Sequence, residues 1–285
     1  MRSRTLMFVP ARSPKLLMAS EYADADIRIL DLEDGVPLSE KDAARDLLRS
    51  YLVFAKPDCE YMIRVNDVHT TAFAEDLSGL KGAPVKGIYL PKIEFPEDVQ
   101  IADEAISKFE AENQLEPGTI YFFNTVETAM GLENAMACMR ASERVRGVCL
   151  GSEDFAVSLG IHRSDDYTEL DYARRRLVVI AKALGKQAID TVYANVRDLD
   201  GLRRETLYGK SLGYDGKAAL TPAQVVEINR MYKPTSDEVA YAEEVLRQWK
   251  NAGENHLAVI VVNGKMVDKP VLEQAQRILE LAIES

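Results

Sequence analysis

The sequence predicts an α/β fold, a (β/α)8 TIM barrel in which eight parallel strands close on themselves inside a ring of helices. Three observations predict it. Eight short apolar runs recur along the chain, TLMFVP, IRILDLE, EYMIRVN, GIYLPKI, TIYFFNTVE, VRGVCLG, QAIDTVYAN and GKAALTP, separated by longer segments of helical spacing. Such alternation implies parallel pairing, because parallel neighbours need a crossover connection. The 285 residues suit one barrel, for which roughly 250 are typical. In addition, no glycine-rich phosphate turn follows an early strand, which counts against an open dinucleotide-binding sheet.

Taken in order, the strand ends carry most of the chemistry-bearing residues. The first run ends at Pro10 and the second at Asp31, Glu33 and Asp34. The helical segment EKDAARDLLRSYLVFA follows. The third run ends on Arg64, the fourth on Pro91 and Lys92 before the helical PEDVQIADEAISKFEAE, and the fifth on Glu127. The sixth crosses Gly151 and Ser152 to reach Glu153 and Asp154. The seventh ends over Asp190 to Tyr193, and the eighth at Thr221 and Pro222. Beyond it the pattern continues: PTSDEVAYAEEVLRQWKNAG reads as a long helix, LAVIVVNGKMVD as an extended stretch turning at Asn263 and Gly264, and PVLEQAQRILELAIES as a last helix. No Gly-, Ser- or Pro-rich linker intervenes. The expected organisation is therefore a barrel over residues 1–232 with a C-terminal helical appendage, 233–285, that is not an independent domain.

Composition narrows the function. The chain is 47% hydrophobic and 28% charged, enough to bury a large core. A formal net charge of −11 argues against a general nucleic-acid or anionic-membrane surface. Cys59, Cys138 and Cys149 show no pairing or metal-ligand spacing, as expected of reduced thiols. Three histidines make a histidine-rich zinc site implausible. There is neither a signal-peptide pattern nor a membrane-span run. A cytoplasmic protein is expected.

In such barrels the chemistry sits at the C-terminal strand ends, and this rim is acidic with one arginine and one lysine. Glu127 and Asp154 lie on adjacent strands, about 4.8 Å apart, so their carboxylates can converge. Unpaired, they would repel and raise each other's pKa; a hard divalent cation such as Mg²⁺ relieves this. Position alone equally allows acids favoured at helix starts, with Thr128 and Ser152 as N-caps. Arg64 is open to two readings, an ion pair with the DLED acids or an electrophilic clamp on a substrate oxygen. Lys92 is either paired with Glu94 or the DLED acids, or a Schiff-base nucleophile. The plainer readings are preferred for Arg174-Arg175-Arg176 (a solvated helix face), Tyr121-Phe122-Phe123 (a buried strand) and Asp165-Asp166 (a polar loop).

The segments LMFVP, ILDLEDGVPLSEKDAAR, IRVN, YLPKIE, VETAMGLENA, LGSEDF, AIDTVY, LGYDGKAALTPAQ and VNGKMVDKPV occur in the order and spacing of a known group. Over nearly its whole length the chain resembles the citrate lyase β-subunit group of the wider HpcH/HpaI aldolase and malyl-CoA lyase family. The resemblance implies a barrel assembled as a homotrimer that cleaves or forms a carbon–carbon bond between an acyl thioester and a 2-oxo acid, with Mg²⁺, or Mn²⁺ in its place. The thioester would be carried on coenzyme A or an acyl carrier protein. Glu127 and Asp154 would be the metal ligands, with Glu127 also near the substrate. Arg64 would stabilise the enolate oxygen, and the backbone at Gly151 and Ser152 would hold the oxo-acid carboxylate. Asp268 would be an acid donated by a neighbouring subunit. The chain departs from the group's pattern at Ala11, Met18 and Thr221, which bears on the substrate more than on the chemistry. The implied activity is lysis of a citryl thioester to an acetyl thioester and oxaloacetate. The alternatives are a stand-alone citramalyl-CoA or malyl-CoA lyase, a Schiff-base aldolase on Lys92, and a non-enzymic subunit of a lyase complex.

Overall fold

A computed structural model describes residues 3–54, 60–164, 167–253 and 259–283. Eight strands form a closed parallel barrel in sequence order: β1 (Thr5–Pro10), β2 (Ile27–Asp31), β3 (Glu60–Arg64), β4 (Gly87–Leu90), β5 (Tyr121–Val126), β6 (Val145–Leu150), β7 (Gln187–Asp190) and β8 (Gly216–Ala219). All eight coincide with the apolar runs of the sequence. Closure is direct, since β1 pairs with β2 on one side and β8 on the other.

The intervening helices are α1 (Pro14–Ser20), α2 (Lys41–Phe54), α3 (Thr71–Gly79), α4 (Pro96–Glu112), α5 (Ala129–Arg140), α6 (Ser152–Ser158), α7 (Asp171–Ala183), α8 (Leu199–Leu212) and α9 (Pro222–Tyr232). Their starts are written locally. Ser13 caps α1 ahead of Pro14, and Thr128 and Asp198 cap α5 and α8 by accepting the amides of Gly131 and Gly201. In α4, Asp98 accepts the amides of Glu94 and Phe95. Each such cap satisfies donors that a helix start otherwise leaves open.

Strand alternation divides the core into two layers. Leu6, Ile27, Ile29, Met62, Tyr89, Tyr121, Phe123, Cys149, Ile189 and Ala218 fill the barrel interior. Alternate residues face the helices. One of these outward positions corrects the sequence reading. Asp190 does not belong to the rim: it is buried among Arg174 of α7 (Nη2 to Oδ2, 2.7 Å) and Lys217 of β8 (Nζ to Oδ2, 3.0 Å), with Glu205 of α8 3.0 Å from Arg174. Arg174 is accordingly fully buried and not part of a solvated face, whereas Arg175 is exposed. Three successive helical residues point in directions about 100° apart, so one of the three turns to the sheet.

Contacts divide the chain into two compact units, Met1–Asn229 and Arg230–Ser285. The second has its own small core of Ala242, Val245, Val262, Val267 and Ala275. It contains α10 (Ser236–Gly253), the antiparallel hairpin of β9 (Ile260–Val262) and β10 (Lys265–Val267), and α11 (Lys269–Ile283). The hairpin turns at Asn263 and Gly264 as the sequence predicts, both with positive φ (50° and 77°), the conformation that suits tight hairpins. Among the described residues no helix is long and apolar enough to cross a membrane. Cys138 and Cys149 are free and buried; Cys59 and the pair Asp165-Asp166 lie outside the described residues.

Candidate active site

The C-terminal strand ends surround a cavity of about 400 Å³. Its lower wall is apolar, with Phe8, Tyr89, Cys149, Val192 and Ala218. Its rim carries Asp31, Asp34, Arg64, Glu127, Gly151, Ser152, Glu153 and Asp154. Five of the residues singled out in the sequence, Arg64, Glu127, Gly151, Ser152 and Asp154, thus line one cavity. Asp268 belongs to the second unit, where its carboxylate accepts the Val271 amide (3.3 Å) and its carbonyl the Leu272 amide (3.0 Å) at the start of α11.

Arg64 is held by the register of the sheet. The β2–β3 pairing sets Asp31 beside Arg64, and the Nε and Nη2 groups donate to Oδ1 and Oδ2 of Asp31, each at 2.7 Å. The two parallel bonds form the planar fork that arginine and carboxylate make best. Nη1 lies 3.0 Å from Glu33 Oε2 and 4.0 Å from Asp34 Oδ2, and the guanidinium packs over the Phe8 ring at 5.0 Å. Burial works hardest against its charge, but the Asp31 bonds and the nearby acids more than offset this and hold its pKa above the usual arginine value. Both sequence readings of Arg64 therefore meet in one geometry: it is paired with the DLED acids and it lines the cavity.

Lys92 takes the plainer of its two readings. Its Nζ is 2.8 Å from Glu33 Oε1, and that bond raises its pKa. A Schiff-base lysine needs the reverse, a lowered pKa. Its φ of 55° is left-handed, uncommon for a residue with a side chain.

Glu127 is the electrostatic centre of the rim. It is buried, and its Oε2 accepts no hydrogen bond within the described chain. Burial first, then the charges of Glu33 and Asp154, push its pKa up to about 8. Gly151 is required beside it, since a Cβ there would fall 2.5 Å from Glu127 Cγ. A buried carboxylate oxygen with no partner, facing a second carboxylate, fits a divalent cation. Among the described residues no group of three or more His, Cys, Asp and Glu side chains is arranged to hold an ion. A pair of carboxylates with the remaining positions left to water and substrate is the donor set Mg²⁺ takes.

Gly151, not Ser152, occupies the N-cap position of α6, and its amide is spent on the Val126 carbonyl (2.9 Å). Ser152 is buried, its Oγ accepting from Thr191 Oγ1 and from Arg163 Nη1, both at 2.5 Å. The amides at the start of α6, from Ser152 onwards, are the donors a helix start offers to an anion. Glu153 turns to Arg163, with which it pairs. Asp31 and Glu33 are among the DLED acids expected as partners of Arg64 and Lys92, and the register of the sheet sets the first beside Arg64. Arg163, in a stretch with no periodic signal, is the residue the sequence did not single out.

The chain matches the HpcH/HpaI aldolase/citrate lyase family over residues 4–222. It is 36% identical over 280 residues to the citrate lyase subunit beta of Leuconostoc mesenteroides subsp. cremoris, covering 98% of this chain and 93% of that one. It is 33% identical over 293 residues to the mitochondrial citramalyl-CoA lyase of Homo sapiens, covering 98% and 85% respectively. The crystal structure of the protein CitE from Mycobacterium tuberculosis, in complex with magnesium, acetoacetate and coenzyme A, superposes with a TM-score of 0.81 at 28% identity, covering 99% of this chain and 98% of that one.

Proposed function

Because the chain belongs to the HpcH/HpaI aldolase/citrate lyase family, we propose that it is a Mg²⁺-dependent carbon–carbon lyase that cleaves a citryl thioester to an acetyl thioester and oxaloacetate. The observation that carries this is the buried, partnerless Oε2 of Glu127 beside Asp154, across a cavity from a forked Arg64.

In this reading Glu127 and Asp154 hold the metal. Bound there, Mg²⁺ supplies Lewis acidity to the hydroxyl and carboxylate oxygens of the substrate. The amides of α6 from Ser152 onwards orient the carboxylate of the 2-oxo-acid half. Arg64 faces the thioester oxygen, where charge accumulates as the carbon–carbon bond breaks, and the Asp31 fork fixes its orientation beforehand. The apolar lower wall keeps water from the nascent enolate. In this reading the protein is a cytoplasmic homotrimer, and Asp268 of another copy protonates the enolate carbon. The exposed outer face of the hairpin, Val261 opposite Met266, supports such an assembly, since apolar side chains displayed together call for a cover. The acyl carrier is coenzyme A or an acyl carrier protein.

A citramalyl-CoA lyase using the same residues is the second reading. The uncharged lower wall favours it, because a methyl substituent suits Phe8, Cys149 and Ala218 better than a carboxymethyl does. Incubation with citryl-, citramalyl- and malyl-CoA plus Mg²⁺, with identification of the 2-oxo acid released, separates the readings. Turnover of none of them under any metal condition would leave a non-enzymic subunit.

A further inference from the structure

Arg64 and Lys92 grip the same carboxylate from its two ends. Glu33 Oε2 lies 3.0 Å from Arg64 Nη1, and Glu33 Oε1 lies 2.8 Å from Lys92 Nζ. Glu33 is buried, and an ionised carboxylate out of water persists only where cations hold it. Lys92 reaches it from a left-handed backbone (φ 55°) just past the end of β4, a sparsely populated conformation that the surrounding structure has to hold in place. Asp31, itself held by the Glu33 and Gly35 amides, grips one edge of the guanidinium. Glu33 on Nη1 and Phe8 on the face add constraints at the opposite edge and over the plane.

We propose that Lys92 is a positioning residue: through Glu33 it fixes the orientation in which Arg64 presents its guanidinium to the cavity. Removal of the Lys92 cation leaves burial, the largest influence on Glu33, opposed by Arg64 alone. Glu33 then turns outward, and Arg64 loses the contact at Nη1. The kinetic part of this inference rests on the lyase reading above; the structural part does not.

The test uses Lys92→Met, Lys92→Arg, Glu33→Gln and the double variant Glu33→Gln/Lys92→Met in the full-length protein. Lys92→Met lowers kcat by about 10–100-fold, the usual cost of removing a group that orients a ligand-contacting residue, with little change in KM. Lys92→Arg restores most of the rate. The double variant is no slower than Glu33→Gln, because the two residues act as one unit. An unchanged kcat, a loss confined to KM, or losses that multiply would overturn the proposal. So would an inactive Lys92→Arg with borohydride trapping of substrate on the wild-type lysine. A crystal structure of Lys92→Met provides a readout independent of turnover: the guanidinium of Arg64 leaves Glu33, and an unmoved Arg64 refutes the idea. If the wild type cleaves no thioester, the lyase reading fails while that structure still decides the role of Lys92.

Discussion

Asp31 and Arg64 stand side by side across the β2–β3 ladder, and both carboxylate oxygens of the one meet nitrogens of the other at 2.7 Å. A fork of this kind is planar and directional, which a lysine ammonium cannot reproduce. Arg64→Lys should therefore lower kcat by about 10²–10³, the usual loss when one donor to developing charge is removed. Steady-state kinetics and thermal melts check this together. A variant that keeps kcat and only melts earlier would make the pair purely structural.

The metal prediction follows from Glu127. Activity disappears in EDTA and returns with Mg²⁺ or Mn²⁺, and Glu127→Gln or Asp154→Asn abolishes Mg²⁺ binding by calorimetry while the fold persists. In the metal-free protein the Glu127 carboxyl, held up to about 8, is protonated below that pH. A metal must displace this proton, so Mg²⁺ affinity falls as the pH drops below about 8, with a proton released on binding. Calorimetry in buffers of different ionisation enthalpy reads that proton directly.

Gly151→Ala tests the close approach on its own. A methyl group 2.5 Å from Glu127 Cγ forces the carboxylate aside without altering any charge. Mg²⁺ affinity should weaken about tenfold or more, the scale seen when a ligand is misplaced. Unchanged affinity would mean that Glu127 is not a ligand.

Asp268→Asn is a clean substitution, because asparagine caps a helix as well as aspartate does and α11 keeps its start. Loss of a general acid typically costs about 10²–10⁴-fold, so the variant should be nearly inactive at unchanged stability. Mixed with inactive Arg64→Ala under proven subunit exchange, it should recover activity. A monomer by sedimentation, or no recovery, rules out the shared site.

Lys217→Met tests the buried network behind the sheet. Breaking a buried pair from one side costs about 3–5 kcal/mol. Burial raises the Asp190 pKa, but Lys217 and Arg174 more than offset this and the net shift is downward. A depressed carboxylate adds stability above its unfolded pKa, near 4, and loses it as pH falls through the folded value. Lys217→Met should therefore unfold at a higher pH on acidification than the wild type, as followed by circular dichroism.

The barrel itself was legible because each strand is a bounded apolar run, and a strand buried on both faces must be one. The cavity residues were legible because they sit at strand ends. Asp190 and Arg174 were misread for a shared reason: hydropathy does not say which face a charged residue takes. Alternation does. Ile189 points inward, so its neighbour Asp190 points to the helices and needs partners there. That the DLED acids pair with Arg64 and Lys92 was legible; that a single one of them, Glu33, meets both cations was not, since it depends on the left-handed turn at Lys92, which no run of residue types announces.

The four-charge network behind β7 and β8 has a consequence for how the mouth responds to its surroundings. Arg174, Asp190, Glu205 and Lys217 are sealed between sheet and helices, where added salt screens little. They weld α7, α8 and the last two strands into one stiff quadrant, and Val192 and Ala218 ride on it. Across the cavity the Asp31–Arg64 fork and Glu33 are buried as well, and only the outermost pairs, through Asp34 and Lys92, reach water. High ionic strength should therefore weaken those outer pairs while the buried fork and the network behind β7 and β8 stay in place.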